Sequence, residues 1–206
     1  ASPKGLFTFD GAAWSLAADM PVTDMCLRNG HVPFASGSAL YTINVASAVP
    51  LAENSPTELL GIAPYSGTIY VHDGRRVGLL ERGKVVYDEI TDWGSLERGC
   101  SIRNIMSYGS RLYVATDEGL CLLRGMTWYH IKGEDGLCYE DTTCLAQGFA
   151  RELWIGTMRG AIRNAGGDIF CRLNDSPIHR NQHESKQVGF QMISLIRRQA
   201  HPRQAI

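Results

Sequence analysis

Leu153-Trp154-Ile155-Gly156-Thr157-Met158-Arg159-Gly160-Ala161-Ile162-Arg163 decides the fold. A short apolar run enters a tight polar turn, closes on Gly160, and leaves through a second short run, which is the signature of two antiparallel strands. The unit recurs. Leu112-Tyr113-Val114-Ala115-Thr116-Asp117-Glu118-Gly119-Leu120 repeats it 41 residues earlier. Ile69-Tyr70-Val71-His72 leading to Gly78-Leu79-Leu80 repeats it with two extra turn residues, and Val32 to Leu40 is a worn copy with Ala39 at the glycine position. Gly5-Leu6-Phe7-Thr8-Phe9 is the second half of one more.

The turn positions fall at 5, 39, 78, 119 and 160, in steps of 34, 39, 41 and 41. Gly11, Gly125 and Gly166 lie six residues past them, and Trp14, Tyr87 and Trp128 lie nine past, with Ile169 in that place in the fourth copy. Five repeats of about 40 residues built from short strands predict an all-β fold, a five-bladed β-propeller with four-stranded antiparallel blades. The expected strands are 5–10 and 13–17; 25–27, 32–36, 40–44 and 47–51; 59–63, 68–71, 78–81 and 85–90; 101–106, 112–115, 120–123 and 127–131; 142–146, 153–156, 161–163 and 168–173. The apolar run 190–196 and residues 203–206 supply the remaining two. The ring is then closed by N- and C-terminal strands, which hides sheet edges. Residues 1–206 form one domain, expected to be a monomer. Trp14, Trp128 and Trp154 are expected in the core.

Composition excludes several functions. With 44% apolar and 20% charged residues the chain is an ordinary globular protein, and a net charge of −1 offers no general attraction to nucleic acid or anionic membrane. No apolar run approaches the roughly 20 residues of a membrane span. The start Ala1-Ser2-Pro3-Lys4 lacks an initiator Met and an apolar signal core, which points to processing or trimming and leaves the compartment open. The six cysteines form no CxxC pair and read as small apolar residues; Cys138 and Cys144 bracket a loop and could pair in an oxidising compartment. No nucleophile elbow, phosphate loop or HExxH is present.

Glu134-Asp135-Gly136-Leu137, then Thr142-Thr143-Cys144-Leu145, then Leu153 to Thr157 resembles the two-component-regulator propeller repeat, which carries an acidic-Gly-Leu loop, a short strand and an LWIGT-like strand before a glycine turn. The match is good over 119–170, recognisable over 78–118 and faint before 60. The resemblance implies a ligand-sensing propeller without catalytic residues, periplasmic or secreted, although members usually carry more than five repeats. Architecture alone also resembles compact five-bladed lectins and propeller polysaccharide-degrading enzymes, an analogy that does not fix function.

Loops on a rigid scaffold are the default place for a site, here the links between blades and the turns between second and third strands. The turn His72-Asp73-Gly74-Arg75-Arg76 offers two guanidiniums for a carboxylate, sulfate or phosphate, or else is a solvated charged turn. The stretch 174–189 contains His179, His183 and Glu184, metal-ligand types whose spacing on a loop fixes no geometry, so solvation or disorder competes with ligand or metal binding. Asp92-Trp93 and Glu134-Asp135, with Tyr139 to Asp141, place aromatics beside carboxylates, a pattern suited to stacking and hydrogen-bonding a sugar, although Trp93 reads first as half-buried packing and second as a platform. Asp117, Glu118 and Arg159 line the equivalent turns and are weaker candidates.

The expected function is a binding or sensing module for a carbohydrate or small polar ligand at the channel mouth, with no cofactor beyond a possible metal ion. The alternative is a carbohydrate-active enzyme, lyase or hydrolase, using His72, Tyr139, Arg75, Arg159 or paired carboxylates on the same face. A protein-interaction scaffold is the third reading. The turns differ from blade to blade, which favours one asymmetric site over a ring of similar ones.

Overall fold

A computed structural model of the chain describes residues 2–44, 47–87, 100–149 and 152–164. Strands β1 (Leu6–Phe9) and β2 (Trp14–Ala18) form a hairpin. Three four-stranded meanders follow: β3 (Asp24–Met25), β4 (Pro33–Ser36), β5 (Ala39–Asn44) and β6 (Ser47–Ala52); β7 (Gly61–Tyr65), β8 (Thr68–His72), β9 (Val77–Glu81) and β10 (Lys84–Tyr87); β11 (Ile102–Tyr108), β12 (Arg111–Thr116), β13 (Gly119–Arg124) and β14 (Thr127–Ile131). A three-stranded sheet ends the described chain, β15 (Thr142–Gln147), β16 (Leu153–Thr157) and β17 (Gly160–Asn164). A single helical turn, Gly133–Asp135, lies in the link before β15. The expected strands at 168–173, 190–196 and 203–206 lie outside the described residues, as do Trp93, His179, His183, Gly166, Ile169 and Cys171.

The sheets stack in chain order, with the first strands adjacent: β3 against β7, β7 against β11, β11 against β15. This is the arrangement around a propeller axis. One apolar cluster fills each gap. Leu40, Leu59, Ile62 and Ile69 sit between the first two meanders, Val77, Ile105, Leu112 and Val114 between the next two, and Tyr113, Leu120, Leu153 and Ile155 before the last. Leu6, Ala18 and Phe34 join the hairpin to the first meander. β12 is covered on both faces, so Leu112, Tyr113, Val114 and Ala115 are all buried. β16 alternates instead: Leu153 and Ile155 are buried while Trp154 is half-buried, because no described sheet covers its second face.

Two sequence expectations need correction. Trp14 is 70% exposed rather than core. Its counterpart Trp128 packs partly buried against the cluster between the second and third meanders, but no described sheet lies on the hairpin's equivalent face. The second repeat's turn is not lengthened. Asp73 N donates to Arg76 O across two residues, as Thr116 faces Gly119 and Thr157 faces Gly160. Arg76 therefore holds the turn position, and Gly78 lies within β9, where an added Cβ would sit 3.0 Å from the Tyr87 ring. Tyr87 accordingly matches His130 rather than Trp128. The described cysteines agree with the reading as unpaired residues: Cys138 and Cys144 are free thiols, as are Cys26, Cys100 and Cys121.

Backbone groups at the sheet joints are tied by a repeated device. Leu59 N donates to Gly37 O and Ile102 N to Gly74 O, each joining a link to the preceding sheet's turn. At the next joint the Thr142 hydroxyl, fully buried, lies 2.8 Å from Thr116 O and accepts from Thr116 N at 2.9 Å. Such groups would otherwise be orphaned in the interior.

Candidate functional site

The links and the second-to-third-strand turns gather at one end of the stack, because every meander runs in the same sense. His72 ends β8, Asp73, Arg75 and Arg76 lie on the turn that follows it, Asp117 and Glu118 on the third sheet's turn, Arg159 on the fourth's, and Asp135 and Tyr139 on the link between the last two. Hydrogen bonds string these together: Ile102 N to Gly74 O, Ser101 N to Asp117 Oδ1 at 2.7 Å, and Met158 N to Asp141 O.

His72 is 3% exposed, and its Nδ1 accepts from Gly74 N at 3.2 Å, which leaves the proton on Nε2. That ring nitrogen lies over Gly61, where a Cβ would stand 2.4 Å from it, so only glycine admits the imidazole. Burial drives the His72 pKa down to about 4, against a smaller opposing pull from Asp73, and the ring is neutral at pH 7.

Asp73 organises its own turn. Its Oδ1 accepts from Arg75 N and Arg76 N at 2.9 and 2.7 Å, and its Oδ2 accepts from Arg76 Nε at 2.9 Å and the Thr57 hydroxyl at 3.0 Å. Burial would raise this carboxyl, but the bonds from Arg75, Arg76 and Thr57 outweigh it and hold it below the usual carboxylate value. The Arg76 guanidinium lies 4.2 Å from the Tyr87 ring centroid, and the Tyr87 hydroxyl meets Thr57 at 2.8 Å and Ser55 at 3.2 Å. Arg76 is thus ion-paired and stacked toward the outermost strand. Arg75 is exposed and has no ion-pair partner among the described residues.

A second group converges. The Arg159 guanidinium lies 5.5 Å from the ring centroid of Tyr139, itself 37% exposed. Beside them Arg103 Nη1 pairs with Asp141 Oδ1 at 2.7 Å, and Gly133 N donates to Glu140 Oε1 at 2.9 Å. Asp135 is spent on its own link, its Oδ2 accepting from Lys132 N at 3.0 Å. Glu118 contributes its carbonyl to His130 Nε2 at 2.9 Å.

Sequence reading missed Asp24. Its Oδ2 accepts from Ile62 N at 2.9 Å across the joint between the first two meanders, and burial raises its pKa despite that bond. Asn104 stands at the same register on β11 and accepts from Leu145 N at 3.1 Å. Only pairing geometry shows the equivalence. Among the described residues no group of three His, Cys, Asp or Glu side chains could hold a metal, and no helix is long and apolar enough to cross a membrane.

No family model matches the chain, and no curated protein does. Solved structures do. The chain is similar to the extracellular domain of BT4673 from B. thetaiotaomicron, named a hybrid two component system, with 16% identity and a TM-score of 0.60 over 78% of this chain and 24% of that one. It is similar to the extracellular domain of BT3049 from the same organism, named likewise, at 17% identity and a TM-score of 0.59 over 83% of this chain and 27% of that one. The WD40 β-propeller domain of Doa1 matches at 10% identity and a TM-score of 0.55, over 79% and 58% of the two chains. At such identities the likeness speaks to the fold, which is all-β and propeller-like. The chain spans about a quarter of the length of the two extracellular domains.

Proposed function

We propose that this chain is a ligand-sensing propeller segment, periplasmic or extracellular, that takes a carbohydrate or another small polar ligand at the end where links and turns gather. The observation that supports this most is the Tyr139–Arg159 pair: an exposed ring and a guanidinium beside the Arg103–Asp141 ion pair. A sugar ring stacks on the tyrosine face, and the arginine takes an acidic or hydroxyl substituent. His72, Asp117 and Glu118 border the same end, with Arg75 the exposed cation of the neighbouring turn. The named roles of the similar sensor domains agree with the reading. It includes a ring closed by the terminal strands, and a monomer.

A thermal-shift screen against acidic and neutral oligosaccharides tests it, with and without a chelator. Ligand at about 100 times its dissociation constant stabilises by roughly 2.7 kcal/mol. Tyr139→Ala and Arg159→Ala should each abolish the ligand-induced shift while leaving the unliganded melting point nearly unchanged. A shift that survives both substitutions would falsify this site. Cleavage of the sugar would replace the sensor with the carbohydrate-active enzyme, and a fall in melting point on chelation would bring His179 and His183 forward.

A further inference from the structure

At the end opposite the gathered links, β4 leads back to a turn that closes on a cleft of about 370 Å³. Arg28, Asn29, His31, Pro33, Thr42 and Leu51 line it. Asn29 and Gly30 both adopt positive φ, 50° and 79°, so the chain reverses in two residues and Arg28 and His31 exchange both backbone hydrogen bonds, each 2.9 Å. That tight reversal sets a guanidinium and an imidazole side by side. Arg28 Nη2 donates to Gly67 O, on the turn between β7 and β8, which fixes the side chain across the joint between two sheets.

Three polar groups here have hydrogen-bonding capacity left unused among the described residues. Arg28 has no carboxylate within ion-pair reach and no second hydrogen bond; the His31 ring has none; and the Thr42 hydroxyl is buried without one. A buried hydroxyl without a partner is costly in a folded protein. Pro33 and Leu51 supply an apolar wall. Convergent polar groups beside an apolar wall, in a cleft of this size, are the usual form of a small-ligand site.

We propose that this cleft is a second ligand site, separate from the Tyr139–Arg159 end, that takes a small organic carboxylate. The fixed guanidinium receives the carboxylate through its remaining N–H donors, His31 and Thr42 supply further hydrogen bonds, and the ligand's apolar body lies on Pro33 and Leu51.

Benzoate is the probe and benzamide its uncharged counterpart, followed by calorimetry and by the NMR signals of the His31 ring. Benzoate should bind saturably and shift the His31 signals, at least about tenfold more tightly than benzamide, as a charge-assisted contact requires. His31→Ala, at an exposed position, and Arg28→Gln should each weaken benzoate severalfold or more, whereas Arg159→Ala should leave it unchanged. Arg28→Gln also removes the bond to Gly67, so His31→Ala, checked for an unaltered melting point, carries the result if the arginine variant is unstable. Equal affinity for benzoate and benzamide, a His31 response that never saturates, or undiminished binding in folded His31→Ala would overturn the proposal. Failure of the sugar screen would leave it standing, because that screen reads the other end of the molecule.

Discussion

His72 is enclosed by Gly61 beneath it and by the turn it caps. Its folded pKa, about 4, lies below its ordinary value near 6.5. The folded state therefore prefers the neutral ring. Stability from this residue is complete above pH 6.5 and is lost as pH falls toward 4, by about 3 kcal/mol at that point. Chemical denaturation of the wild-type chain and His72→Gln across pH 4 to 7 checks this. The substitution should flatten the acid limb; an unchanged limb would show that other groups set it. Sequence reading put His72 on the turn, whereas it is the buried last residue of β8. That reading gave no sign that a glycine eleven residues earlier makes room for the ring, because β7 pairs with β8 only through the fold. Charge and spacing likewise do not reveal that Asp73 and the Tyr87 ring already hold Arg76.

Strands were the most legible level. Their alternation and turn glycines located β4 to β9 and β11 to β17 within one or two residues. The joints between sheets were not legible, since they depend on which side chain faces a neighbouring sheet's unpaired N–H. Asp24 and Asn104 do the same task on β3 and β11, one charged and one neutral. Burial raises the Asp24 pKa, so the folded state holds its proton more tightly than the unfolded chain. Its contribution is fully present below the ordinary carboxylate value and is lost as pH rises through the raised one. Asp24→Asn keeps an acceptor for Ile62 N and removes the desolvated charge. Melting points should rise for this variant at pH 7, with the gain fading below about pH 4, near the reference carboxylate value. A loss at pH 7 instead would mean that the charge itself supports the joint. The exposed Met25 N–H, Asp24's other partner, can turn to water.

Across the whole molecule, the two ends of the stack carry uncovered apolar faces among the described residues. One is the Trp154 face of β16, and the other is formed by Phe7, Phe9, Trp14 and Leu16 on the hairpin, where the Phe9 and Trp14 rings meet tilted at 5.0 Å between centroids. In the repeat, Trp154 matches Tyr113, which packs onto the following sheet, while Phe7 and Phe9 match Cys121 and Leu123, which pack onto the preceding one. If the ring closes, these faces enclose one interface. Trp14→Ala and Trp154→Ala should then each cost roughly 3–5 kcal/mol, with a coupling of about 0.5–3 kcal/mol in a double-mutant cycle if they touch. Two near-zero costs that add without coupling would show faces open to solvent in the isolated chain. Because the faces are complementary rather than alike, a face cannot pair with its own copy: each must meet the other kind, and the rotation that contact imposes decides between a closed ring of subunits, two-membered at 180°, and an open filament.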